Sequence, residues 1–344
     1  MSPGRRGRAG GPRRLAVAGL AAAALLAAAA APAPAAAPAC AVRPAAAASL
    51  ARLRATMAEG RFIAYNPTAA QVVNGTVTTT DAASIAADLA VLRPRFDGLI
   101  TYAAGHGAHD IPAIAAAQHF HALIIGVWNP FDEAEIAAAL DAARLFPRLV
   151  VGVSLGNELL LFKTHTFQEL TAVFDRIHAR APQLAVSTSE PFHMYYEAQA
   201  GGLLAQMDFL LAHVHPVYQS WFRGASEAQD ADFVVNVVAE LAAHYCGPIL
   251  VKETGEPTAP ASEGYTSARQ GAFYEALRRV FPPSGTRAFA YFSAFDAPWR
   301  QADSGNRESE AHWGLYDAQR RPKPWVTRLP ELSTPPVRPA PPAR

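Results

Sequence analysis

From about residue 61 to residue 296 the chain repeats one unit: a short β-rich run, a turn, then a segment with apolar residues at helical spacing. Eight runs qualify as strands: RFIAYNP (61–67), GLITYAAG (98–105), HALIIGVWNP (121–130), LVVGVSLGNE (149–158), LAVSTSEP (184–191), DFLLAHVHPVY (208–218), PILVKE (248–253) and AFAYFSAFD (288–296). Helix candidates begin at Asp81, Asp132, Thr166, Asp230 and Thr266, residue types that cap free backbone N–H groups. One further segment, Tyr196 to Gln206, is interrupted by Gly201-Gly202. Strands that alternate with helices imply a parallel sheet. Eight such units within about 270 residues predict an α/β fold, a single (β/α)8 TIM barrel spanning residues 58–329; a doubly wound open sheet is the alternative.

The flanks differ in composition. Arg5, Arg6, Arg8, Arg13 and Arg14 precede a Leu/Ala run and Ala-Pro-Ala repeats, the pattern of an export signal over residues 1–39. Arg13-Arg14 also fits a twin-arginine leader and Cys40 a lipoprotein position, although Ala37-Pro38-Ala39 lacks the large apolar residue expected before such a cysteine. Residues 40–57 read as an Ala/Pro-rich linker, and residues 330–344, PELSTPPVRPAPPAR, as a disordered proline-rich tail. The protein is therefore expected outside the cytoplasm, periplasmic or extracellular, as a monomer without stable membrane insertion. The formal net charge is +1, and removing the five leader arginines takes it to −4, with no basic stripe left to meet nucleic acid. Cys40 and Cys246 are the only cysteines; pairing and an unpaired, small apolar Cys246 both stay open.

Two of the apolar runs end on a glutamate: VVGVSLGNE at Glu158 and PILVKE at Glu253. In a parallel barrel the strand middles are covered on both faces, whereas the C-terminal ends open onto a cleft built by the βα loops. Period-two parity puts Glu158 on the face of Gly152, Ser154 and Gly156, and turns Val151, Val153 and Leu155 to the helices. Two carboxyls facing each other there can cleave a glycosidic bond, one protonating the departing oxygen and the other attacking the anomeric carbon. Burial and the neighbouring negative charge are expected to raise the acid's pKa. The bland reading is a loop cap for Glu158 and an ion pair of Glu253 with Lys252 or Arg300. Tyr65, Tyr102, Trp128, Tyr218, Trp299 and Trp313 fall at strand ends or in the last loop, where flat rings suit sugar faces.

At GNE (156–158), VKETGEPT (251–258), FSAFDAPWR (292–300) and EAHWGLYDAQRRPKP (310–324) the sequence resembles family 17 glycoside hydrolases, the β-1,3-glucanases and related transglycosylases, especially their bacterial branch. The similarity covers about residues 58–328. It implies a retaining mechanism on a β-glucan polysaccharide or oligosaccharide, with Glu158 as acid/base, Glu253 as nucleophile and Asn157 on the sugar 2-hydroxyl. The reading is an endo-1,3-β-glucanase without metal or organic cofactor, with a β-1,3-glucan transglycosylase using the same pair as the alternative, and endo versus exo cleavage stays open. Glu256 stands where the family's motif usually has tryptophan, which suggests hydrogen bonding to substrate in place of stacking. Ala297 replaces a frequent glutamate, and His213 and His215 replace the asparagine and tyrosine of plant members. Asp296, at the eighth strand, joins the expected substrate contacts.

Two readings of other classes compete. HVHP (213–216) puts two histidines on one strand face, which with Asp296 would suit a metal-dependent hydrolase. A barrel that binds glycan without turnover is also compatible, because function lives in the site and not in the fold.

Overall fold

The computed structural model describes residues 43–332 except 74, 75, 78, 79 and 106. The expected leader, Cys40 and the tail from residue 333 lie outside the described residues.

All eight predicted strands form: β1 (Phe62–Ala64), β2 (Gly98–Ile100), β3 (Ala122–Val127), β4 (Val150–Asn157), β5 (Val186–Pro191), β6 (Leu210–His213), β7 (Ile249–Thr254) and β8 (Arg287–Tyr291). Each pairs in parallel with its chain neighbour, and β1 pairs with both β2 (Ile63↔Leu99) and β8 (Ile63↔Tyr291), so the sheet is a closed (β/α)8 barrel and not an open doubly wound one.

The helices follow the capping chemistry. Helix α2 (Ala82–Leu92) starts behind Asp81, whose carboxylate accepts from the Ser84 N–H, and α4 (Glu133–Leu145) starts behind Asp132. Reciprocal caps of Thr166 with Glu169 and Ser226 with Gln229 open α5 (Phe167–Arg180) and α7 (Glu227–His244). The latter therefore begins three residues before the expected Asp230. Helix α3 (Ile111–Ala117), absent from the sequence reading, is one short alanine-rich turn pair with little polar contrast to mark it. Helix α6 (Ala200–Gln206) is short, and α8 (Ser267–Val280) starts at Thr266 as expected.

The stretch expected as a linker is corrected by the structure: α1 (Ala47–Glu59) lies there and packs beneath the barrel. Its Leu50, Leu53 and Met57 join Phe62, Ile100, Ile124, Phe209, Leu211 and Leu250 in the cluster that fills the lower barrel. Each such burial contributes about 1.5–3 kcal/mol, enough to hold an alanine-rich segment as a helix. Upstream, Arg43 donates to Asp208 (2.9 Å) and to the Leu184 carbonyl (2.8 Å). Phe209 fills the interior because Gly152 leaves room for it: a Cβ there would stand 2.7 Å from the ring. A second, larger cluster lies between the strands and the helices. Cys246 is disulfide-bonded. Among the described residues no helix is long and apolar enough to cross a membrane.

Candidate active site

The C-terminal mouth of the barrel carries both glutamates, but neither is aimed by simple strand parity. In β4 the pairing with β3 shifts between Leu123 and Ile124, so Val151 faces inward with the lower-barrel cluster while Val153 and Leu155 pack outward. At the strand end Gly156 (φ 83°) and Glu158 (φ 58°) are both left-handed. For glutamate that conformation costs of order 1–3 kcal/mol and is kept only where the surroundings dictate it. Here the Glu158 N–H donates to the Ser189 carbonyl at 2.9 Å. The expectation of an inward Glu158 thus holds through a turn rather than through the pleat. In β7 the ladder to β6 runs Ala212↔Val251 and then His213↔Glu253, passing over Lys252. That irregularity sends two successive side chains, Lys252 and Glu253, to the mouth.

One imidazole joins the two acids. His213 Nδ1 lies 3.0 Å from Glu158 Oε1, and its Nε2 lies 3.4 Å from Glu253 Oε1. His215 Nε2 stands 3.5 Å from the other Glu253 oxygen, and the Tyr102 hydroxyl donates to Glu253 Oε1 at 2.8 Å. Lys252 Nζ is 3.6 Å from the same oxygen, so the ion pair weighed from sequence exists, inside the site. Burial pushes the Glu253 pKa up, yet His213, His215 and Lys252 together outweigh it and hold this carboxyl well below the usual range. Glu158 is likewise lowered: burial raises it, but the hydrogen bond and charge of His213 prevail over burial and over Glu253. The expected upward shift of the acid is therefore corrected, and the cause is the imidazole that separates the pair. Both histidines of HVHP are engaged with the two carboxylates.

The other predicted contacts divide. Asn157 lies at the mouth with its Oδ1 bound by Ser189 Oγ (3.0 Å) and by Lys252. Trp128 on the end of β3 and Tyr218 after β6 expose 55% and 56% of their surface, as platforms require. Trp299 is half-buried and borders a small hollow with Asn66, Phe292 and Arg300. Four expectations are corrected. Tyr65 is fully buried on the helix side of β1, its hydroxyl on Asp88 (2.8 Å). Glu256 is fully buried, held by Arg269 at 3.0 Å, and touches no open cleft. Asp296 is bound by Lys323 (2.9 Å) and the Gly314 N–H (2.8 Å). Trp313 is 2% exposed, a wall against His215 (5.0 Å between rings) rather than a stacking surface, with Nε1 left unpartnered.

Several site residues escaped the sequence reading. Glu190, buried at the end of β5, accepts the Leu160 (3.0 Å) and Leu161 (3.2 Å) N–H groups and so fixes the loop after Glu158; burial pushes it up to about 7. Glu135 accepts from the N–H groups of Ala104, Trp128 and Asn129, tying two mouth loops to α4. Glu310 joins the Tyr218 hydroxyl (3.0 Å) to Arg300 (3.2 Å). A carboxylate at the end of a run that otherwise reads as strand, as in STSEP, was the available signal for Glu190.

A barrel whose mouth sets two carboxyls around one imidazole, beside exposed aromatic rings, has the build of a glycoside-cleaving barrel enzyme. The model of the BtgE/BtgC glycoside hydrolase domain matches residues 63–314, and the chain belongs to this family. It is 26% identical over 260 residues to a glucan 1,3-beta-glucosidase of Arthroderma benhamiae, covering 71% of this chain and 84% of that protein. Among solved structures it is similar to the glycoside hydrolase family 17 beta-1,3-glucanosyltransferase from Rhizomucor miehei, with a TM-score of 0.61 and 22% identity over 77% of this chain and 95% of that one. It is also similar to a GH2 beta-galacturonidase from Eisenbergiella tayi bound to galacturonate, with a TM-score of 0.59 and 11% identity over 78% of this chain and 50% of that one. The resemblance to family 17 read from the motifs is borne out. At such identities the solved structures speak for the barrel alone.

Proposed function

We propose that this chain is a retaining glycosidase acting on β-1,3-linked glucan, with Glu253 as nucleophile and Glu158 as acid/base. The observation that carries the reading is His213, whose two ring nitrogens lie 3.0 Å from Glu158 and 3.4 Å from Glu253, setting both acids around one small space. Glu253, held ionised by His213, His215 and Lys252, attacks the anomeric carbon as Glu158 protonates the departing glycosidic oxygen; an ester to Glu253 forms and the C–O bond of the leaving sugar breaks. Glu158 then takes a proton from water, which attacks the same carbon, releases Glu253 and keeps the original configuration. The Asn157 amide is assigned to the 2-hydroxyl. Trp128, Tyr218 and Trp299 offer sugar-facing surfaces.

The substrate class follows from family membership and from the glucan 1,3-beta-glucosidase relative. A transfer reaction uses the same pair, a sugar hydroxyl replacing water, and the likeness to a glucanosyltransferase fold keeps it as the second reading. The arginine-led leader supports export, and an endo-acting monomer is the form proposed. A product time course on laminari-oligosaccharides tests this: β-configured shorter products are expected, lengthened ones establish transfer, and α-configured products reject the retaining assignment.

A further inference from the structure

The geometry points to Lys252 as a positioning residue for this reaction: its ammonium turns the carbonyl oxygen of the Asn157 side chain inward, so that the amide NH2 is the end left to donate toward the substrate. The inference rests on the retaining reading above, in which Lys252 serves only as one of the cations that keep Glu253 ionised.

Lys252 is a buried cation, its side chain 1% exposed, and it reaches the mouth only because the β6–β7 ladder skips it. Its Nζ donates to Asn157 Oδ1 and to Ser189 Oγ at 3.0 Å, and stands 4.0 Å from the centre of the Tyr102 ring. An ammonium has three donors and no acceptor. The amide atom facing it is therefore the oxygen, whatever else the pocket offers. Ser189 Oγ approaches the same Oδ1 at 3.0 Å, so the oxygen is fixed from two strands, β5 and β7. An asparagine amide turns about a soft, roughly two-fold torsion and presents either end with little preference of its own. With Nζ in place only one end is compatible. A buried charge this close to Glu253 also has a reason to persist beyond packing, since it opposes the charge on the nucleophile (3.6 Å).

The test compares kcat/KM for an aryl β-glucoside and its 2-deoxy counterpart in the wild type, Lys252→Met, Asn157→Ala and the double variant. The intrinsic reactivity difference of the two substrates cancels between variants. The wild type is expected to favour the 2-hydroxyl by about tenfold or more relative to Asn157→Ala. Lys252→Met is expected to lose that preference to the same extent, the double variant to lose no more, and Lys252→Arg, still donor-only, to keep most of it. Should Lys252→Met not fold, Lys252→Leu, which also lacks a donor, gives the same comparison. Equal losses on both substrates, with the preference intact, would overturn the positioning role. An unchanged preference in Asn157→Ala would instead overturn the retaining reading's use of Asn157, and the inference with it.

Discussion

The Nδ1 atom of His213 stands 3.0 Å from Oε1 of Glu158, and the carboxyl at the end of β4 is lowered rather than raised. The alkaline limb of kcat/KM reports the acid of the free enzyme, so the activity is expected to fall off on the acidic side of neutrality. In His213→Gln, burial and the charge on Glu253 remain while the opposing cation is gone. The limb is expected to move to higher pH. A pH profile on a glucoside substrate reads this directly, and a limb that stays in place removes His213 as the cause.

Glu256 shares a buried cluster with Asp230 and Arg269, where Arg269 donates to both carboxyls at 3.0 and 2.8 Å. Burial pushes Glu256 up to about 9. Between the ordinary glutamate value of about 4.3 and that figure, the folded chain binds more protons than the unfolded one, so stability declines as pH rises. Glu256→Gln, which mimics the protonated side chain, is expected to flatten that slope and to gain on the wild type from pH 5 towards pH 9. Glu256→Ala removes a buried hydrogen-bond partner of Arg269 and is expected to cost about 1–3 kcal/mol. Thermal melts at both ends of the range, run on both variants, separate these outcomes from a loop that merely tolerates change.

Leu53 sits fully buried under the barrel floor with Met57 and Phe62. Leu53→Ala is expected to lower the unfolding free energy by about 2–5 kcal/mol in a denaturant titration. A loss under about half a kcal/mol would mean that α1 is the detachable linker its composition suggested.

The barrel was legible because each strand run gives way to helical spacing, and because a carboxylate at the end of an apolar run conflicts with burial unless something meets it. That conflict marked Glu158 and Glu253. Helix α1 was hidden by its alanine content, although Leu50, Leu53 and Met57 fall on one helical face. Tyr65 shares the face of Ile63, and closer use of parity would have placed it against the helices. Glu256 and Asp296 were misjudged because their partners, Arg269 and Lys323, come from distant elements that no local pattern links to them. Lys252 reads from sequence only as a candidate ion-pair partner of Glu253; period two puts the two on opposite faces, and only the irregular β6–β7 ladder brings both to the mouth.

The central claim is that Glu253 bonds to the sugar's anomeric carbon while Glu158 moves the proton. The most direct measurement is mass spectrometry of the peptides left after a 2-deoxy-2-fluoro aryl β-glucoside has inactivated the enzyme. A sugar ester on the peptide holding Glu253, unchanged in position in Glu158→Ala, is the predicted result. An ester on Glu158 or on any other side chain contradicts the account.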